Sequence, residues 1–154
     1  MSLPRSFREK ACYDDMIIEV DKVELHFSVG MLAAYSPVFR AMLFGDSECV
    51  EKKSRRVKIT DFTLEEIETV LAILTPTPVT DIDDDSIWTV VRFADKYDVM
   101  MLVDRIKTFV ALCWMTSCSE RFWECILLGV KYDWSDMVKE TLMSINEPSP
   151  SDYV

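Results

Sequence analysis

Residues 28–44, SVGMLAAYSPVFRAMLF, constrain the fold most tightly, because they read as two short helices meeting at a Ser-Pro step. Ser28 is placed to cap the first helix and Ser36 the second, since a serine oxygen accepts from the unpaired amides of a first turn. Pro37 then falls at the first helical position, where its missing amide costs nothing and its φ is already helical. Met31, Leu32, Ala33 and Ala34 give the first helix an apolar surface with two small residues, which permits close approach of another backbone. Val38, Phe39, Met42 and Leu43 recur at the spacing of a helix buried on one side. A pair punctuated in this way, apolar on adjoining faces, needs partners on more than one side.

The flanking segments supply them. Residues 16–20 form a compact apolar strand, and Val23, Leu25 and Phe27 alternate with Glu24 and His26, the period of a half-buried strand. Asp21-Lys22 joins the two as a hairpin, although without glycine the tight turn is poorly served. His26, the single histidine, falls on the polar side, with no Ser, Cys or carboxylate spaced to work with it. Residues 57–59 alternate again and should join the sheet.

Thr63-Leu64-Glu65-Glu66 is a capping box with Phe62 and Ile67 as its hydrophobic staple. Ile67, Val70, Leu71 and Leu74 follow as the buried stripe, which must stop before Thr75-Pro76-Thr77-Pro78. Asp81, Asp83, Asp84 and Asp85 precede a helix over 86–97 and complement its positive end. A calcium loop is excluded, because Ser86 and Arg92 stand where glycine and glutamate are required. Ile87, Val90, Val91 and Ala94 face inward on that helix, and Leu102, Ile106, Phe109 and Cys113 carry the next stripe. Ser117-Cys118-Ser119-Glu120 is a second capping box, opening a helix with Phe122, Trp123, Ile126, Leu127 and Val130. Tyr132-Asp133-Trp134 is a turn, after which Ser135 can cap a last helix holding Val138, Leu142 and Ile145.

Composition narrows the function. Asp and Glu number 27 against 17 Lys and Arg, a net charge of -10 that repels phosphate backbones, so nucleic acid is not an expected partner. No apolar run approaches the roughly 18 residues of a membrane span. The opening MSLPRSFREK lacks the apolar middle of a secretory signal, so a cytoplasmic or nuclear chain is expected. Five cysteines without framework spacing fit reduced thiols. Cys113, Cys118 and Cys125 include no C-x-x-C pair and read as core filler, so no metal or cofactor is expected. With three separated glycines no phosphate-cradling loop can be built, and no acid-base constellation appears, so an enzyme is not expected. Lys52, Lys53, Arg55 and Arg56 form a basic cluster read as a solvated loop, with nuclear import as the other reading. The ending Asp-Tyr-Val is a weak match to a PDZ ligand.

Residues 25–43, LHFSVGMLAAYSPVFRAML, resemble the signature of the BTB (POZ) family. Residues 15–20 resemble its first strand, residues 56–61 its third, and Phe93-Ala94-Asp95-Lys96-Tyr97 its A-D-K-Y helix. The Pro-rich stretch after residue 74 resembles a divergent, nematode-like branch. The resemblance implies an α+β fold in which a small three-stranded sheet is flanked by a helical cluster, with a C-terminal helical hairpin. The expected boundaries are a leading segment at 1–14, the BTB domain at 15–112, the helical extension at 113–145 and a flexible tail at 146–154. It also implies a protein-interaction module, and in many members a substrate-recruiting adaptor of a cullin-3 RING ubiquitin ligase. The other implied role is a self-association or scaffolding module that never meets a cullin. Partners are then a cullin-3-type scaffold, other BTB proteins or a second copy. The hydrophobic-x-Glu docking motif of cullin-binding relatives falls on Cys49-Val50-Glu51, joined by Tyr97, Asp98 and Val99. Self-association would use Met31 and Ala34, with Leu3 and Phe7 from the leading segment. The C-terminal helix pair either widens the cullin groove or merely seals the domain. These 154 residues leave no room for a MATH or Kelch module beside the BTB domain, so the expectation is that the substrate binds the BTB surface itself, that the sequence is a fragment, or that it occupies cullin sites unproductively.

Overall fold

The computed structural model describes residues 6–45, 53–76, 80–115, 122–136 and 139. It divides into two compact units, residues 1–106 and 107–154. Among the described residues no helix is long and apolar enough to cross a membrane.

The first unit opens on β1 (Met16–Val20) and β2 (Val23–Phe27), followed by α1 (Val29–Tyr35), α2 (Pro37–Phe44) and β3 (Arg56–Ile59). Next come α3 (Leu64–Leu74), α4 (Ile87–Tyr97) and the start of α5 (Met100–Met115). The sheet order is β2-β1-β3, with β1 antiparallel to β2 and parallel to β3. A two-residue link can only reverse the chain, whereas the long return through α1 and α2 lets β3 run alongside β1. Alternation places Met16, Ile18, Val20, Leu25, Phe27, Val57 and Ile59 on one buried face, as the sequence periodicity requires. The fold class is α+β.

The β1–β2 turn is tighter than its residues favour. Asp21 and Lys22 both have left-handed φ, 49° and 66°, as a two-residue turn that follows the sheet twist demands. Asp21 tolerates this conformation, and its Oδ2 accepts the Leu64 amide at 3.3 Å, tying the turn to the start of α3. Lys22 gains no such compensation in the turn. Lys22→Gly is therefore expected to stabilise the domain by about 1 kcal/mol and raise Tm by roughly 2–4 °C, read by calorimetry.

The helix ends follow local chemistry. Thr63 and Glu66 form the full capping box, Glu66 N to Thr63 Oγ1 at 3.2 Å and Thr63 N to Glu66 Oε2 at 2.9 Å. Backbone donation from Thr63 is the main cause holding the Glu66 carboxyl below its ordinary range. Before α4 the same device appears one turn earlier than the sequence reading placed the helix start. Asp83 Oδ1 accepts the Ser86 amide at 2.8 Å and Ser86 Oγ accepts the Asp83 amide at 2.9 Å. The bond from Ser86 lowers the Asp83 pKa. Of the aspartates expected ahead of this helix, Asp83 thus closes the turn that leads into its N-cap, Ser86.

Arg55 and Arg56 of the basic cluster are engaged by carboxylates on or next to the sheet. Arg55 Nη1 lies 3.0 Å from Asp15 Oδ2, and Arg56 Nη1 lies 2.6 Å from Glu24 Oε1 and 3.5 Å from Glu19 Oε2. The leading segment turns back onto the sheet, where the Phe7 carbonyl accepts the His26 amide at 2.7 Å.

On α5 the buried positions are Leu102, Ile106 and Val110, while Phe109 and Cys113 are half-buried, so the stripe drifts by one position from the expected one. The second unit holds the rest of α5 and α6 (Phe122–Lys131). The turn expected at residues 132–134 is present, with Asp133 at φ 55° and the Trp134 amide donating to the Gly129 carbonyl at 2.8 Å. Tyr132 stacks on Trp134 at 5.1 Å between ring centroids. The capping box at 117–120 and the stripe at Val138, Leu142 and Ile145 lie outside the described residues.

Candidate interaction surface

The Ser-Pro step places one hydroxyl at the centre of the first unit. Ser28 Oγ accepts the Met31 amide at 3.4 Å and Ser36 Oγ accepts the Phe39 amide at 3.1 Å, with Pro37 in the first turn of α2. Ser36 is fully buried, and its hydroxyl also donates to the Tyr97 carbonyl at the end of α4. One side chain therefore joins the junction of α1 and α2 to the end of α4.

Around it the rings form a ladder. Phe39 stacks on Tyr97 at 4.5 Å and lies 6.2 Å from Phe93. Phe93 is 4.6 Å from Tyr97 and 5.6 Å, edge to face, from Phe62. Arg92 caps the far end, its guanidinium 4.7 Å from the Phe62 centroid while Nη1 pairs with Glu66 at 2.9 Å. Lys96 pairs with Asp61, and that hydrogen bond is the main cause both of the lowered Asp61 pKa and of the raised Lys96 pKa. Burial pushes the Tyr97 phenol up. Leu32, Phe39 and Leu43 are buried, so the inner faces of α1 and α2 are consumed by the domain's own core.

What remains for a partner is the outer face. Ala34, Pro37, Ala41 and Phe44 are exposed and Met31 is half-buried. Arg40 fixes this face, donating from Nε to the Ala33 carbonyl at 2.9 Å and from Nη2 to the Ala34 carbonyl at 3.4 Å. Phe44, at the end of α2, is 54% exposed, a large apolar surface to leave in water.

The residues expected at a docking site fall in several places. Cys49, Val50 and Glu51 lie outside the described residues, as does Leu3. Tyr97 and Val99 are buried, whereas Asp98 between them is exposed. Asp98 closes α4 in the left-handed conformation, φ 51°, and the Val99 amide turns back to the Ala94 carbonyl at 3.0 Å. This helix-ending turn tucks its second residue inward and presents its first. Met31 and Ala34 share the outward side of α1, but Ala33 is buried. Phe7 is buried against Phe27 at 5.9 Å, so its ring belongs to this chain's own core rather than to an exposed self-association surface.

The sequence reading missed Phe44 as a surface residue. The signal was an aromatic standing off the stripe through Phe39 and Leu43. In the second unit Trp123, Leu127 and Val130 are also exposed, while Leu128 is buried. Among the described residues no three His, Cys, Asp or Glu side chains converge as metal ligands. The arrangement is suited to burying apolar anchors of another polypeptide.

Comparison with known proteins agrees with the fold. A family model described as BTB/POZ domain matches residues 5–112. The Caenorhabditis elegans BTB and MATH domain-containing protein 38 is 31% identical over 98 residues, covering 62% of this chain and 24% of the relative. The chain thus spans about a quarter of the length of that curated relative. The BTB (Tramtrack and Bric a brac) domain of human gigaxonin superposes with a TM-score of 0.50 at 20% identity, covering 63% of this chain and 77% of that one. At that identity the likeness concerns the fold.

Proposed function

The chain belongs to the BTB/POZ family of protein-interaction modules, and from that premise we propose that it is a substrate-recruiting adaptor of a cullin-3 RING ubiquitin ligase, acting in the cytoplasm or nucleus without chemistry of its own. The observation that carries the reading is Phe44. It stands exposed at the end of α2, five residues before the Cys49-Val50-Glu51 segment that fits the docking motif of cullin-binding relatives. Cysteine is a small anchor and buries little area, so a neighbouring exposed aromatic would supply what the motif lacks. Asp98 is an exposed carboxylate of the kind that a polar rim of such a site would use.

Titration against the cullin-3 N-terminal domain tests this. Binding at micromolar concentration is expected, and Phe44→Asp should weaken it by roughly 30-fold, about 2 kcal/mol, as for a central aromatic anchor. Glu51→Lys should weaken it as well; an unchanged affinity would show the docking register to be wrong. No binding of the unmodified chain at tens of micromolar would remove the adaptor reading.

A second reading is self-association without a cullin, supported by Met31 and Ala34 standing on the outward side of α1. Light scattering that finds only monomer at tens of micromolar would exclude it.

A further inference from the structure

We propose that Ser54 is a phosphorylation site for a protein kinase that selects basic surroundings, and that the phosphate draws Arg55 away from Asp15. In the run Lys52-Lys53-Ser54-Arg55-Arg56 one hydroxyl stands among four cations, in a chain whose net charge is -10. The run is the densest basic concentration of the sequence. Lys53, Ser54 and Arg55 are exposed.

The backbone that follows Ser54 is fixed. The Arg55 carbonyl accepts the Ile17 amide at 2.9 Å, and β3 begins at the next residue, so Ser54, at the end of a helical turn, stands two residues before a strand held in the sheet. Arg55 adopts φ 50°, a conformation arginine disfavours. From there its Nη1 reaches Asp15 Oδ2 at 3.0 Å, while Asp15 Oδ1 accepts the Val29 amide, the first of α1, at 2.8 Å. Asp15 therefore links the start of α1 to the start of β3. The Arg55–Asp15 pair is about half exposed on both sides, 55% and 46%, and such pairs hold weakly. A phosphoserine on the adjoining residue carries nearly two negative charges and three acceptor oxygens, and a guanidinium engages it in a bidentate fork. The dianion outcompetes the single carboxylate, and Asp15 keeps only its bond to α1.

In the transfer, Ser54 Oγ attacks the γ-phosphorus of kinase-bound ATP. The Oγ–P bond forms as the bond to the bridging oxygen breaks, ADP leaves, and the hydroxyl proton passes to the kinase's catalytic base.

The test incubates the folded full chain with MgATP and the catalytic subunit of a basic-directed kinase, then maps the product by mass spectrometry. One phosphate on Ser54 is expected, absent in Ser54→Ala. Arg55→Gly, which suits φ 50° while removing a charge, should slow the reaction about tenfold, the loss of one charge-assisted contact. The Arg55 side-chain Nε–Hε resonance should move on phosphorylation, and Asp15→Asn should leave the phosphorylated position unchanged. Modification at other residues only, or of Ser54 only after denaturation, overturns the site. An unmoved Arg55 resonance in the phosphorylated chain overturns the exchange of partners.

Discussion

Phe93→Ala costs about 4 kcal/mol of stability, the largest effect expected of any single truncation in this domain. Phe93 is 1% exposed and touches three other rings, Phe39, Phe62 and Tyr97. Those rings come from α2, the approach to α3, and α4, so removing the shared one opens a cavity that no single helix can close by shifting. Total stabilities of domains lie near 5–15 kcal/mol, so the variant loses a large fraction of what keeps the domain folded. Urea denaturation followed by circular dichroism measures the loss. A cost below about 1.5 kcal/mol would mean that the site collapses freely and that the ladder does not hold the helices together.

What could be read from the sequence was what neighbouring residues decide among themselves. The Thr63–Glu66 box, the caps at Ser28 and Ser36, and the alternation in residues 16–20 and 23–27 each lie within a few positions, and each is present. The ring ladder was not legible, because Phe39, Phe62, Phe93 and Tyr97 come from separate segments and only tertiary packing brings them together. Nor was the burial of Tyr97 and Val99: the helix end at residue 97 was read, but not the left-handed Asp98 that turns Val99 inward. A signal did exist there. Lys-Tyr-Asp occurs at 96–98 and again at 131–133, and both times the aspartate ends its helix with φ above 50°. Glycine or asparagine would have announced such an end, and aspartate does so only by recurrence. Phe44 was hidden for a similar reason, because the stripe on α2 shows which residues turn inward and leaves the fate of an apolar neighbour undecided.

Ser36→Ala is expected to cost about 3 kcal/mol, far more than a helix cap alone. A serine cap replaced by alanine loses about 1 kcal/mol. Ser36 is fully buried and serves a second group, the Tyr97 carbonyl, which becomes a buried acceptor without its hydroxyl donor at a further cost of about 1–3 kcal/mol. Ser28 provides the control. It makes the same kind of cap, with a longer contact of 3.4 Å and a half-buried side chain, and Ser28→Ala should cost only about 0.5 kcal/mol. The difference between the two variants isolates the tie between the helix junction and α4, since both delete the same atom from the same kind of helix start. It also separates stability from recognition, because loosening that junction frees the helix that carries Phe44. If both substitutions shift the urea midpoint equally, Ser36 is an ordinary cap and the junction is held by ring packing alone.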